Sequence, residues 1–210
     1  MSSQKARPEK KPAAKPPRRR RGHDRVAALT AAARAVFLEK GTEAATMTEI
    51  AARAGAAIGS LYQFFPTKEA LAEALHLEEA EAMLATLAVL RTEIAETTER
   101  KPDGGVLTDR LFRLLVEFLD SHPVFVVLAD RRNIDPRHKQ AVRRRLRGEV
   151  AALLALAEPK VPPARIEAMA VLIPHLMRVV VAVRAETGLG NRSRVLEELR
   201  AMLVAHLGGK

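Results

Sequence analysis

Apolar residues recur every three to four positions along most of this chain, a spacing that predicts amphipathic helices. The first helix is predicted over about 24–40, and Gly41 follows it as a candidate C-terminal cap. No segment alternates between apolar and polar residues for long, so no strand is expected and the predicted fold class is all-α. The later helices are predicted at about 67–99, 106–121, from Asp135-Pro136 to 157, 163–187 and 195–207, with a short apolar segment at Phe125–Leu128.

Two short helices, about 47–54 and Ile58–Phe64, lie between the first helix and the long one. Thr46 and Glu49 have the spacing of a capping box, and Gly55 supplies the sharp turn between the two helices. Two short helices joined by a Gly-containing turn predict a helix-turn-helix, in which the second helix enters the major groove of DNA. The small core of this motif is predicted to contain Ile50, Ala51, Ala54 and Leu61.

Most of the formal charge of +10 lies in the first 22 residues, which contain nine Lys or Arg and one Glu. This segment also contains four prolines and no large apolar residue except Met1, so we expect a disordered tail over 1–22. Such a tail is either an arm that binds a polyanion or a solubilising extension. No apolar run follows the basic start, so a secretory signal is not expected.

Composition narrows the class of protein further. The absence of cysteine excludes disulfides and thiolate metal sites, and an aromatic content of 3% argues against a single-strand binder that stacks bases. No run of 18 uncharged apolar residues occurs, so no membrane partner is expected. We expect a cytoplasmic protein that associates with the nucleoid when it binds DNA.

Four short motifs with defined spacing follow one another between Arg25 and Leu75. The order runs through Ala32-x4-Phe37-x3-Gly41, Thr46-x3-Ile50-Ala51-x2-Ala54-Gly55, Gly59-Ser60-Leu61-Tyr62-x-Phe64-Phe65 and Pro66-x-Lys68-Glu69-x-Leu71. This series, about 50 of the 210 residues, resembles the DNA-binding domain of the tetracycline-repressor-like (TetR) family. The resemblance implies a DNA-binding domain over 23–83, with its motif at 46–65. It also implies a helical effector-binding and dimerisation domain over 84–210.

The resemblance also implies which residues face DNA. Thr46, Thr48 and Tyr62 are expected to reach phosphate, as is Lys68 at the start of the fourth helix. Gln63 is the candidate for direct base reading, since its amide can pair with adenine. The full set of expected DNA contacts is Thr46, Thr48, Ala57, Ile58, Gly59, Ser60, Tyr62, Gln63 and Lys68.

Two positions depart from the pattern most frequent in that family, which has Ser and Lys at these places. Ala57 removes a helix N-cap, and Ile58 removes a positive charge. Ile58 either contacts a thymine methyl group or packs inward, and the sequence leaves both alternatives open.

The predicted helix over 163–187 is apolar around much of its circumference, so it must be covered on more than one side. It is either a buried central helix of a monomer or, with the last helix, a dimer interface resembling the four-helix interface of the family. A two-fold operator needs a two-fold protein, so we expect a homodimer on a palindromic operator. The expected interface residues are Val180, Val195, Leu199 and Met202. The candidate effector-pocket residues are Phe112, Leu115, Phe118, Phe125, Met169, Ile173, His175 and Met177; for His175 the alternative is a core or surface residue outside any pocket.

No catalytic motif is present: the chain has no Gly-rich phosphate loop ending in Lys-Ser/Thr and no Gly-x-Ser-x-Gly. The six histidines lack metal-binding spacing, so we expect no enzyme activity, no cofactor and no metal. The resemblance implies a transcriptional repressor released from its operator by a small, largely apolar effector. The alternative is a structural DNA-binding protein that responds to no effector.

Overall fold

The computed structural model describes residues 20–97, 100–129, 135–186 and 188–207. Within these residues every regular element is an α-helix, which confirms the all-α prediction. The helices are α1 (Arg20–Ala44), α2 (Met47–Arg53), α3 (Ile58–Phe64), α4 (Lys68–Glu96), α5 (Gly104–Ser121), α6 (Pro123–Ala129), α7 (Pro136–Leu154), α8 (Pro163–Ala185) and α9 (Arg192–Leu207).

The described residues divide into two compact units within α4. The N-terminal unit contains residues 20–76, and the C-terminal unit contains 77–129 and 135–207. The division follows His76, whereas the sequence prediction placed the domain boundary at residue 83. Most of the predicted tail lies outside the described residues, but α1 already begins at Arg20, so the expectation of disorder was wrong for residues 20–22.

The core of the N-terminal unit joins one apolar face from each of its helices. Leu29, Phe37, Ile50, Leu61 and Leu71 are completely buried. The predicted cap at Gly41 is confirmed by its left-handed backbone (φ 74°), which interrupts α1 after Lys40. Because α2 and α3 have only seven residues each, the packing of α2 against α1 and of α3 against α2 is what stabilises them.

The C-terminal unit is built on two helix pairs, α5 against α9 and α7 against α8. The larger of its apolar clusters contains Leu87, Ile94, Leu107 and Leu154, all of them almost fully buried. The start of α5 approaches the end of α9 closely, since a Cβ added at Gly104 would lie 2.6 Å from the Leu207 carbonyl oxygen. The apolar segment predicted at Phe125–Leu128 is part of helix α6.

Helix α8 is unusually apolar for the amount of protein that covers it. Over Pro163–Arg184 its mean hydropathy is 1.9, and 22% of that stretch is buried. By length and composition it is the one helix among the described residues that could cross a membrane, which is weak evidence taken alone. Pro174 and Arg178 interrupt its apolar sequence.

Candidate nucleic-acid interface

Local interactions fix the start of α2 and the turn that follows it. The Thr46 hydroxyl accepts from the Glu49 N–H at 3.2 Å, and the Glu49 carboxylate accepts from the Thr46 N–H at 3.2 Å, so the predicted capping box is confirmed. Gly55 adopts φ 60°, as expected for the sharp turn after α2. Ile50, Ala51 and Leu61 are buried as predicted, whereas Ala54 is only half-buried.

Helix α3 has one buried side and one exposed side. Leu61 is fully buried, while Ile58 is 39% and Tyr62 is 49% exposed. Gly59 and Gln63 are exposed on the same side, and we call these four outward residues the α3 face. Ile58 therefore does not pack inward, which removes one of the two alternatives left by the sequence. A side-chain cap is absent at Ala57, as its departure from the family pattern predicted.

The hydroxyl groups expected to reach phosphate differ in their availability. Thr46 uses its hydroxyl within the capping box, where it also donates to Glu49 at 3.1 Å. Thr48 is exposed, and the Tyr62 side chain is half exposed on the α3 face. Ser60 is half-buried and Ala57 is exposed beside it. Thr48 and Tyr62 are thus the hydroxyl groups best placed for a ligand outside the fold.

Lys68 is tied into the fold in a way that the sequence did not predict. Its Nζ donates to the carbonyl oxygens of Glu43 at 2.8 Å and Ala45 at 2.9 Å. These bonds join the start of α4 to the last turn of α1 and to the residue that follows it. An ammonium group has three donors, so one remains for the phosphate contact that the resemblance implies. Lys68 therefore holds two elements of the motif together as well as carrying a charge.

Two ion pairs connect α1 to α2 on the surface of this unit. Lys40 Nζ lies 2.5 Å from Glu49 Oε1, and Arg53 Nη1 lies 2.6 Å from a Glu39 carboxylate oxygen. The hydrogen bond from Lys40 lowers the pKa of Glu49, and the hydrogen bonds from Thr46 lower it further. The folded residues 20–76 contain seven Lys or Arg and six Asp or Glu, a net charge of only +1. The folded part of the DNA-binding unit is therefore not a basic surface.

The predicted effector-pocket residues fall into two groups. Seven belong to two adjoining apolar clusters of the C-terminal unit: Phe112, Leu115, Phe118, Phe125, Met169, Ile173 and Met177. His175 does not join them, because it is exposed and its Nδ1 donates to the Val171 carbonyl at 2.8 Å. The expectation for His175 was therefore wrong. Two open grooves on the same unit, of about 380 and 440 Å³, are lined by other residues.

A buried carboxylate beside the apolar clusters escaped the sequence analysis. Glu79, whose side chain is 3% exposed, lies 2.7 Å from His122 Nδ1. The His122 ring stacks on Phe118 with centroids 4.0 Å apart, and Phe118 meets Phe125 edge-on at 5.9 Å. The signal was available, since Glu79 continues the spacing of apolar positions at Leu75 and Met83 in α4.

The predicted dimer residues also divide by exposure. Val180 is completely buried in a cluster with Phe112 and Leu119, so it cannot contact a second subunit and that expectation was wrong. Val195 and Leu199 are half-buried, and Met202 is 70% exposed. The outward side of α8 is a separate surface, which we call the α8 stripe: Ala168, Val171, Leu172, His175, Val179 and Ala182 are all exposed on it.

The next question is whether the described residues include a set of side chains that could bind a metal ion. No group of three or more His, Asp or Glu side chains there is arranged to hold a metal ion. The acidic residues of the N-terminal unit that have assigned partners bind Lys, Arg or main-chain groups instead.

A short exposed helix held by a capped partner helix and a glycine turn defines a helix-turn-helix DNA-binding protein. The family model "Bacterial regulatory proteins, tetR family" matches residues 29–75, and "Tetracyclin repressor-like, C-terminal domain" matches residues 106–207. The chain belongs to the tetR family and is a DNA-binding transcriptional regulator. Proteins of this family bind DNA and small-molecule ligands, form dimers and are generally not enzymes.

Solved structures share this fold at low sequence identity. A bacterial regulatory protein in the tetR family from Rhodococcus RHA1 is 21% identical, with a TM-score of 0.65, over 87% of this chain and 96% of that chain. A TerR/AcrR-family regulator from Aquifex aeolicus VF5 is 18% identical, with a TM-score of 0.61, over 87% and 99%. The fatty acid degradation regulator FadR from Bacillus halodurans is 17% identical, with a TM-score of 0.61, over 86% and 94%. Among curated proteins, none matches this chain.

Proposed function

We propose that this regulator is a cytoplasmic homodimeric repressor that binds a palindromic operator and is released by a small, largely apolar effector. The observation that carries the proposal is the α8 stripe. Val171, Leu172 and Val179 are each 41–48% exposed on it, although they belong to a helix with a mean hydropathy of 1.9. Covering aligned apolar side chains of this kind with a second apolar surface removes them from water and lowers the free energy of the assembly.

A dimer formed through this stripe would present two helix-turn-helix motifs. One α3 face has four outward residues and can contact only a few base pairs, so a single copy gives little specificity. Two copies related by a two-fold axis double the number of contacts and require two matching half-sites. A symmetric interface therefore accounts for recognition of a palindrome.

The apolar clusters around Phe118 and Phe125 support an apolar effector. They join side chains of helices α4 to α9, and both clusters include the half-buried side chains of Phe125 and Met177. An effector inserted there would displace side chains of α8 and act through its different affinity for the two arrangements. The fold is shared with the FadR regulator of fatty acid degradation, so fatty acids and their derivatives are the first compounds to test.

Selection of genomic fragments bound by the full chain, followed by footprinting, tests this proposal. A short protected site with two-fold symmetry is the expected result. Broad protection without symmetry would support an effector-independent structural DNA-binding protein instead. Once the site is known, long-chain apolar compounds are titrated against the complex, and at least one is expected to release the DNA. The Phe118→Ala variant tests the position of the pocket, because release of the DNA should then require more of the compound.

A further inference from the structure

We propose that the α3 face reads A·T base pairs, with Ile58 packed on a thymine methyl group and Gln63 paired with adenine. This inference rests on the proposed operator binding and specifies the chemistry of each half-site. It predicts that the base pairs under α3 are A·T, whichever sequence surrounds them.

The first argument is the way in which α3 presents its side chains. Leu61 is completely buried and Phe65, which follows the helix, is 3% exposed, so the inward side is fixed. Ile58 and Gln63 are both exposed, and they are five residues apart, which is more than one helical turn. An added Cβ at Gly59 would meet nothing within 4 Å, which leaves open space between them for the edge of a base.

The second argument is the chemistry of the base edges. Guanine offers two acceptors in the major groove and is most often bound by Arg or Lys, whereas cytosine offers a donor that suits Asp or Glu. Helix α3 has the sequence IGSLYQF and contains none of these four residue types. A glutamine amide matches the acceptor and donor of adenine, and an aliphatic side chain matches the methyl group of thymine.

The third argument is the exposure of Ile58. A 39% exposed isoleucine on a DNA-binding helix leaves apolar surface in water until something covers it. A thymine methyl group is the apolar feature of the major groove, so it is the partner that recovers this surface. Tyr62, one turn along the same side, is long enough to reach the neighbouring backbone instead.

Base analogues that change one atom group at a time provide the test. The operator is first selected from random DNA with the full chain, and thymines in one half-site are then replaced singly by deoxyuridine, which lacks only the methyl group. At one position the wild type is expected to bind about fourfold more weakly, the loss expected for one buried methyl group. The Ile58→Ala variant is expected to show no loss at that position, and Ile58→Val should retain part of it.

Gln63 is tested in the same way with 7-deazaadenine, which lacks the N7 acceptor. The wild type is expected to lose about fivefold or more at one adenine, while Gln63→Ala binds both duplexes equally. Thermal unfolding of each variant without DNA checks that the variant folds. Normal folding is expected, because both substituted side chains are exposed. A symmetric operator with G·C pairs under α3, or with no sensitive thymine, would overturn this inference and leave the proposed function standing. No enrichment of any sequence would overturn both.

Discussion

Helices α3 and α8 both expose apolar side chains, but they do so on very different scales. The α3 face belongs to a seven-residue helix and mixes two large apolar side chains with a glycine and a glutamine. The α8 stripe runs along a helix of 23 residues, and His175 is its only polar member, although the exposed Arg178 borders it. The α3 face can therefore form hydrogen bonds as well as apolar contacts, whereas the α8 stripe offers apolar contact almost alone.

This difference supports the proposed assignment of the two surfaces to different partners. The edge of a base pair carries donors, acceptors and one methyl group, so it suits a small mixed surface. A second copy of an apolar helix has no such pattern and suits a long, uniform surface. The predictions below test whether the two surfaces can be disabled separately, and whether the α3 face depends on help from elsewhere in the chain.

The largest expected effect comes from placing a charge on each surface in turn. Leu172→Glu is expected to convert the dimer to monomers and to abolish operator binding, because an interface cannot easily bury an unpaired charge. Ile58→Glu should abolish operator binding and leave the dimer intact. Light scattering and operator titrations measure both properties. Val89→Glu, at a 59% exposed position on α4, is the matched control and should change neither. A Leu172→Glu protein that remained dimeric would place the interface elsewhere.

The next effect concerns the positive charge that the α3 face lacks. Residues 20–76 have a net charge of only +1, while residues 1–19 have seven Lys or Arg against one Glu. We expect that deletion of residues 1–19, which leaves α1 whole, weakens binding most at low salt. Loss of about four phosphate contacts per subunit would flatten the slope of log affinity against log salt by roughly 7 per dimer. The preferred operator should not change, because phosphate contacts carry no sequence information. Equal slopes for the two proteins would show that the tail takes no part in binding.

A smaller effect is expected from Lys68, which ties the start of α4 to Glu43 and Ala45. Lys68→Met removes the donors to the carbonyl oxygens of Glu43 and Ala45 and should lower the stability of the N-terminal unit by about 1–2 kcal/mol. Tyr62 is the only tyrosine of a chain without tryptophan, so its fluorescence during urea unfolding reports on α3 itself. Affinity should also fall about equally for all DNA sequences, and the salt slope should change by about one unit per subunit. Unchanged unfolding with a changed slope would mean that Lys68 acts only as a charge.

The smallest effect is expected from breaking the ion pair between Lys40 and Glu49, which supports the capping box. Lys40→Met removes the largest cause of the lowered pKa of Glu49, so that pKa should rise toward its ordinary value of 4.5. Because the pKa is lowered in the fold, the contribution of Glu49 to stability is present above 4.5 and is lost as the pH falls through the lowered value. Carboxyl NMR measures the titration directly. Arg53→Met, which breaks the neighbouring pair with Glu39, is the control and should leave Glu49 unchanged.

The N-terminal unit was more predictable from sequence than the C-terminal unit because its signals are local. The Thr46–Glu49 capping box and the positive φ of Gly55 depend on residues a few positions apart, and both predictions were confirmed. The hydrogen bonds from Lys68 to Glu43 and Ala45 join residues more than 20 positions apart, so no local sequence pattern predicts them.

In the C-terminal unit the errors concern which side of a helix faces the core. Val179 and Val180 are adjacent valines, yet one is 43% exposed and the other is completely buried. A helix with apolar residues on nearly every side gives no periodic signal to separate them. The expectations for Val180 and His175 were wrong for this reason, whereas the extent of α8 was predicted to within two residues.

The two-sided construction of α3 also bears on how such a regulator can diverge. Leu61 fixes the helix from within, so substitutions at Ile58, Gly59 or Gln63 do not enlarge or empty the core. After a gene duplication, one copy could therefore exchange its outward side chains without first losing its fold. A change from glutamine to arginine at position 63 would already favour guanine over adenine. The lineage can in this way acquire new target genes by single steps, while the parts that maintain the domain stay as they are.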